Sequence, residues 1–231
     1  MFRKIIKSKF VKPFTGFIHK IWMHRYGVTV YYNDPERVKV IKLVRQVKKE
    51  VDFLLGDNEA YTIFRMVMNT TKVNGDIAEV GTYQGGSSKI ICEAKGKKTL
   101  HLFDTFEGLP DLCESDDTTL VNKGDYAASL PKIKKYLKKY KKVHFYKGLF
   151  PSTSAPVKDT KFSFVNLDTD LYESTLSGLE FFYPRMTRGG VIISHDYTSV
   201  PGVKKAVDNF FRKKTEPVIE LSGTQCLIVK I

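Results

Sequence analysis

Residues 76–88 read Asp76-Ile77-Ala78-Glu79-Val80-Gly81-Thr82-Tyr83-Gln84-Gly85-Gly86-Ser87-Ser88. A short apolar run closed by a glycine-rich turn predicts a buried strand, Asp76 to Val80, that turns directly into a helix from Ser87. Gly81, Gly85 and Gly86 let the backbone approach a ligand closely. The helix beginning at Ser87 offers free N–H groups and a positive dipole end to a carboxylate or phosphate. The spacing is G-x-x-x-G-G, not the G-x-G-x-x-G that clears the way for a dinucleotide pyrophosphate. Glu79, just before the turn, suits an ammonium group better than a pyrophosphate. The ligand expected here carries both an amino and a carboxylate group.

Downstream, strand-like and helix-like runs alternate. Strands are expected at Thr99 to Phe103, Val143 to Tyr146, Phe162 to Leu167 and Val191 to Ser194; helices at about Lys132 to Lys142, Tyr172 to Tyr183 and near Val203 to Phe211. Such alternation predicts a parallel α/β sheet. The polar stretch from Thr105 to about Ser129 is too long for a plain connection and reads as an active-site lid. Pro217 to Leu221 and Gln225 to Lys230 flank Ser222-Gly223-Thr224, a link so short that the two runs must form an antiparallel hairpin. A mostly parallel sheet with an antiparallel C-terminal strand is the expected ending of a class I methyltransferase, a Rossmann-like α/β fold, whereas dehydrogenase-type folds continue with parallel crossovers. Upstream, Pro35 opens a helix reaching about Phe53, with Val38, Ile41, Val44, Val47 and Val51 at helical spacing. Gly56 stops it, and Asp57 N-caps a second helix ending near Asn69. The two helices cap the sheet.

With 231 residues, 42% of them hydrophobic, the chain can bury one substantial core. Its 27% charged and 13% aromatic residues exclude a disordered chain. No apolar run reaches the length of a membrane span, and the N-terminus lacks the pattern of a secretory signal. Cys92, Cys113 and Cys226 are odd in number and widely spaced, which indicates neither a disulfide framework nor a cysteine zinc site and points to the cytoplasm. The net charge of +13 is concentrated in two segments. Before Asp34, Arg3, Lys4, Lys7, Lys9, Lys12, Lys20 and Arg25 interleave with aromatic and aliphatic residues, giving a basic arm that packs on the core or on a second subunit, or lies peripherally on an anionic membrane. The second, Lys132 to Lys142, reads as the solvated face of an amphipathic helix. Without an RNP, KH or zinc signature, nucleic acid is not an expected partner.

Asp104 follows the second strand, where an acid can accept both ribose hydroxyls of a ligand seated on the first turn. Phe103 and Phe106 flank it as apolar walls for an adenine. The strongest local signal is Phe164-Val165-Asn166-Leu167-Asp168-Thr169-Asp170-Leu171-Tyr172, joined by Ser194-His195-Asp196-Tyr197 after the next strand. Asp168, Asp170, His195 and Asp196 thus share the carboxyl edge of the sheet, where open α/β folds place their sites. Carboxylates with water suit Mg²⁺; His195 is a better donor for Mn²⁺, Fe²⁺ or Zn²⁺. Asp170 has a second reading, as the cap of the helix from Tyr172.

From about Gly75 to Ile231 the chain resembles the macrocin O-methyltransferase family, which includes the mycinamicin and novobiocin sugar methyltransferases. The matching stretches are IAEVGTYQGGSS, LFDTFEGLP, LDTDLYEST, FYPRMTRGGVIISHDY and GVKKAVDNFF. The resemblance implies an S-adenosylmethionine-dependent enzyme that uses Mg²⁺ or Mn²⁺ to methylate a hydroxyl of a sugar or glycosylated natural product. It implies Asp168 and Asp196 as metal ligands and Asp170 as general base; Glu79, Gly81, Gly85, Ser87, Asp104 and Phe106, read from their own positions, are the residues expected around the cofactor. Where the family has Asp-Asp-Tyr, this chain has His195-Asp196-Tyr197. That departure leaves a mixed His/carboxylate metal site, a histidine base, or weaker metal dependence. The expected organisation is an arm (1–34), a helical cap (35–74) and a methyltransferase domain (75–231), in a homo-oligomer. A nicotinamide oxidoreductase shares the glycine turn and Asp104 but leaves Asp168, Asp196 and the hairpin unexplained. A catalytically altered cofactor-binding scaffold is compatible with the His195 departure.

Overall fold

Five apolar runs form parallel strands: β1 (Asp76–Val80), β2 (Leu100–Asp104), β3 (Val143–Lys147), β4 (Phe162–Leu167) and β5 (Met186–Ser194). The computed structural model describes residues 34–231, so the basic arm lies outside the described residues. Two more strands, β6 (Ile219–Glu220) and β7 (Cys226–Val229), complete the sheet in the order β3-β2-β1-β4-β5-β7-β6. β7 runs antiparallel to β5 and pairs with β6, the hairpin expected from the sequence.

Helices cover both faces, which is why β4 is buried at every position. On one face Ile77, Phe164 and Ile193 meet α1 (Pro35–Glu50), α2 (Asp57–Asn69), α3 (Gly86–Ala94) and α4 (Leu130–Leu137) through Val44, Ile63, Ile91 and Leu137. On the other, Ala78, Val165 and Ile192 meet α5 (Tyr172–Phe182) and α6 (Pro201–Phe211) through Leu179, Phe182 and Val207. The register aligns the strand ends. Val80 pairs with Phe103 and Leu167, and Leu167 pairs with Ser194, so Gly81, Asp104, Asp168 and His195 emerge side by side at one edge.

Element ends depart from the sequence reading where distant side chains intervene. α1 stops at Glu50, short of Phe53: the Asp52 N–H donates to Gln84 Oε1 (3.0 Å), and the Phe53 ring fills the space beside Gly86. α4 ends at Leu137, short of Lys142; Tyr140 donates to Glu93 of α3, and Lys142 turns through φ 56°. β5 begins five residues earlier than Val191, and its Gly189 and Gly190 pair with Lys230. The stretch 105–129 contains neither helix nor strand before α4. Leu109 and Gly124 close it through backbone bonds, and the Asp116 carboxylate accepts the Tyr172 N–H (2.7 Å) at the start of α5. No helix among the described residues is long and apolar enough to cross a membrane.

Candidate active site

The turn after β1 can sit against β4 only because residue 81 is glycine. Gly81 has φ +86°, and a Cβ there would lie 1.7 Å from the Asp168 carbonyl oxygen. Asp104 braces the turn from β2: its Oδ2 accepts the N–H groups of Thr82 (2.6 Å) and Tyr83 (2.9 Å), and its Oδ1 that of Phe106 (2.6 Å). These residues open onto a cavity of about 480 Å³, the size of a small-molecule site. Gly81, Ser87, Asp104, Asp168, Asp170, His195 and Asp196 all line it, as does Phe103. Tyr126 and Leu120 of the 105–129 stretch form one wall, and Phe53 and Leu54, from the link between α1 and α2, form another.

Three expected cofactor residues are not on the cavity wall. Glu79 is fully buried, its carboxyl held by Ser88 Oγ and by Asn166 Nδ2 (3.1 Å), so it does not meet an ammonium group in this structure. Burial pushes its pKa up to about 8, against the pull of those hydrogen bonds. Phe106 takes a left-handed φ of 57°, which sends its ring into the core with Ile133 and Leu137 and not toward an adenine. Gly85 is the N-cap of α3 and faces the side chains of α4.

The ionisable cluster converges. One ligand atom each from Asp168, His195 and Asp196 lies within 4.8 Å of the others. His195 Nδ1 is 2.7 Å from Asp196 Oδ2 and 3.2 Å from Asp168 Oδ1. Asp170 and Asp196 both hold left-handed backbone, φ 60° and 59°, a strain that folds retain at functional sites. Asp170 does not cap α5, since Asp116 takes that role. Burial raises the Asp170 pKa well above the carboxylate range, and the charges of Asp168 and Asp196 add to it. For Asp196 burial acts in the same sense, but hydrogen bonding and charge from His195 hold it low. Burial alone would lower His195; Asp168, Asp196 and Glu59 raise it well above the usual imidazole range.

Two residues of this site were missed in the sequence. Glu59 of α2 and Thr224 of the hairpin line the cavity on the far side of the imidazole, with Thr224 Oγ1 3.2 Å from His195 Nε2. Glu59 stands three residues into α2 and accepts the Gly56 N–H (2.7 Å), so its spacing reads as an ordinary capping box. No local signal links it to residues 195 and 224.

The macrocin O-methyltransferase (TylF) family model matches residues 61–227. Among curated proteins, the chain is similar to 8-demethyl-8-(2,3-dimethoxy-alpha-L-rhamnosyl)-tetracenomycin-C 4'-O-methyltransferase of Streptomyces olivaceus, 29% identical over 66% of this chain and 64% of that one. It is also similar to demethyldecarbamoylnovobiocin O-methyltransferase of Streptomyces niveus, 26% identical over 75% and 66%. The chain thus spans just under two thirds of the length of these relatives. Among solved structures it resembles the O-methyltransferase NovP, with a TM-score of 0.68 and 26% identity over 77% of this chain and 81% of that chain. A calicheamicin methyltransferase, at TM-score 0.65 and 18% identity over 86% and 94%, shares the fold. The sheet order with its antiparallel end is that of class I O-methyltransferases, and on the match across residues 61–227 this chain belongs to the macrocin O-methyltransferase family.

Proposed function

We propose that this chain is an S-adenosylmethionine-dependent O-methyltransferase acting on a hydroxyl of a sugar or glycosylated natural product, assisted by a divalent cation, Mg²⁺ or Mn²⁺. One observation carries the reading: the Asp168, His195, Asp196 cluster shares a single cavity with the Gly81 turn, Ser87 and Asp104. In the donor half, Gly81 and the start of α3 at Ser87 suit an amino-acid carboxylate, and Asp104 faces a ribose. Bound S-adenosylmethionine supplies an electrophilic methyl group on a sulfonium.

The acceptor half fits a cation by its donor chemistry, two carboxylates and an imidazole close enough to share one ion. A cation held by Asp168, Asp196 and His195 would lower the pKa of an acceptor hydroxyl. Asp170, which lines the cavity beside them, is the residue placed to receive the hydroxyl proton. Tyr126 and Leu120 shield the site from water and hold the acceptor for in-line attack. Leu54, Leu120 and Leu149 are 61%, 50% and 49% exposed at the cavity mouth, an apolar rim for the non-sugar part of a glycoside. The two curated relatives carry names of glycosylated natural products, which supports the same class of acceptor.

Calorimetric titration of S-adenosylhomocysteine, with and without Mg²⁺ or Mn²⁺, tests the reading. Binding under both conditions is the expected result, and binding of NADH in its place would return the oxidoreductase. A second reading is favoured by the short His195 Nδ1 contacts: a protonated His195 holds Asp168 and Asp196 together with no ion. Turnover that survives exhaustive chelation would select it.

A further inference from the structure

The imidazole of His195 is held on the side away from the aspartates by a built cradle. Glu59 Oε1 accepts the Thr224 N–H (2.8 Å) and the Thr224 hydroxyl (2.9 Å), while Oε2 accepts the Gly56 N–H (2.7 Å). Room for that carboxylate comes from two glycines. A Cβ on Gly223, at φ +119°, would lie 2.7 Å from Glu59 Oε1, and one on Gly56 would lie 3.0 Å from Oε2. Glu59 is 8% exposed, and Thr224 reaches it across 165 residues of sequence.

Hydrogen-bond direction then follows from valence. A carboxylate that already takes two backbone N–H groups acts as an acceptor, so the single Thr224 hydroxyl proton goes to Glu59. Thr224 Oγ1 has only lone pairs left for His195 Nε2, 3.2 Å away, and Nε2 must supply the proton between them. With Nε2 committed as donor, the Nδ1 proton that now faces Asp168 and Asp196 is the one a cation would displace, leaving the Nδ1 lone pair directed at the ion.

We infer that Thr224 and Glu59 are positioning residues that fix the His195 tautomer, so that Nδ1 joins Asp168 and Asp196 as the third protein donor to a divalent cation. The inference rests on the metal part of the proposed function and deepens it. The chemical consequence is ion choice. An imidazole in place of a third carboxylate favours Mn²⁺ over Mg²⁺, which prefers oxygen donors and keeps its water. A metal-ligating histidine with its second ring nitrogen engaged is the arrangement that orients such ligands generally.

The test uses the full chain with Mn²⁺ alone, read by electron paramagnetic resonance without any acceptor. Wild type is expected to quench the free Mn²⁺ signal and to show nitrogen hyperfine coupling in the pulsed spectrum. Thr224→Val keeps the backbone bond to Glu59 but loses the hydroxyl; it should weaken Mn²⁺ binding by about 10- to 100-fold and diminish the nitrogen coupling. Thr224→Ser should restore both. A purely structural role for Thr224 would move the melting temperature and leave the coupling in place. Bound Mn²⁺ without nitrogen coupling in wild type overturns the inference while the carboxylate metal site stands; so does Thr224→Val with unchanged affinity and coupling. An undiminished free Mn²⁺ signal in wild type that still binds S-adenosylhomocysteine overturns both the inference and the metal part of the proposed function.

Discussion

Glu79 is a carboxyl with no solvent exposure, and its pKa near 8 makes it neutral over most of the physiological range. The folded value lies above the ordinary 4.5, so between those two pH values the unfolded chain has released a proton that the folded chain retains. Stability contributed by the neutral form is therefore full below about pH 4.5 and is lost as pH rises toward 8. Glu79→Gln should melt close to wild type at pH 5 and gain relative to it as pH rises, by on the order of 4 kcal/mol at pH 8.5. Thermal unfolding of both proteins across that range checks this, and a constant difference would mean that Glu79 is ionised in the fold. At the cavity, Asp168→Asn and Asp196→Asn each replace a charged donor by a weak neutral one; each should lower turnover by at least about a hundredfold while S-adenosylhomocysteine still binds in calorimetry. The acids at positions 168 and 196 were legible because each follows an apolar strand, and parallel strands deliver their carboxyl ends to one edge. Glu59 and Thr224 were not, because their meaning depends on a contact between a helix before the sheet and a turn near its end. For Glu79, sequence spacing located the residue but not the face its side chain takes.

At the level of elements, periodicity revealed which segments are helix or strand, and tertiary contacts set where they stop. α1 and α4 both end where a side chain finds a better partner elsewhere, Phe53 against Gly86 and Tyr140 on Glu93. The 105–129 stretch shows the same principle. Its Asp116 bonds the Tyr172 N–H through Oδ1 and the Cys113 N–H through Oδ2 (2.9 Å), tying the cavity wall to the first turn of α5. Lys205 of α6 adds a bond to Ser115 (2.9 Å). In sequence, Asp170 is the nearer candidate for that cap, and only the folded loop brings Asp116 across 56 residues to replace it. Asp116→Ala should cost about 0.5 to 2 kcal/mol through the lost cap. It should also raise the acceptor KM more than it changes cofactor affinity, since the clasp holds the acceptor wall and not the glycine turn. Steady-state kinetics beside S-adenosylhomocysteine titration separates the two effects; equal losses in both would show that the clasp supports the whole cavity.

The whole chain carries a charge imbalance that the site does not use. Seven cations, Arg3, Lys4, Lys7, Lys9, Lys12, Lys20 and Arg25, precede the first acid, Asp34, whereas every residue proposed for cofactor, metal or proton transfer lies within the compact unit Lys39–Ile231. Asp34 itself accepts the N–H groups of Glu36 (3.0 Å) and Arg37 (3.2 Å) at the start of α1, so a chain beginning at Asp34 keeps that helix cap. We propose that the arm serves assembly with a second copy or contact with an anionic membrane, and takes no part in methyl transfer. Removing residues 1–33 should then leave S-adenosylhomocysteine affinity within about two-fold, as for changes remote from a binding site. The same truncation should reduce either the oligomer size seen by light scattering or co-sedimentation with anionic vesicles, and vesicle binding by the full chain should fall as salt rises. A truncated protein that keeps its circular dichroism spectrum but loses cofactor binding would place the arm in the site, and the assignment of the donor half to Gly81, Ser87 and Asp104 would have to be enlarged to include it.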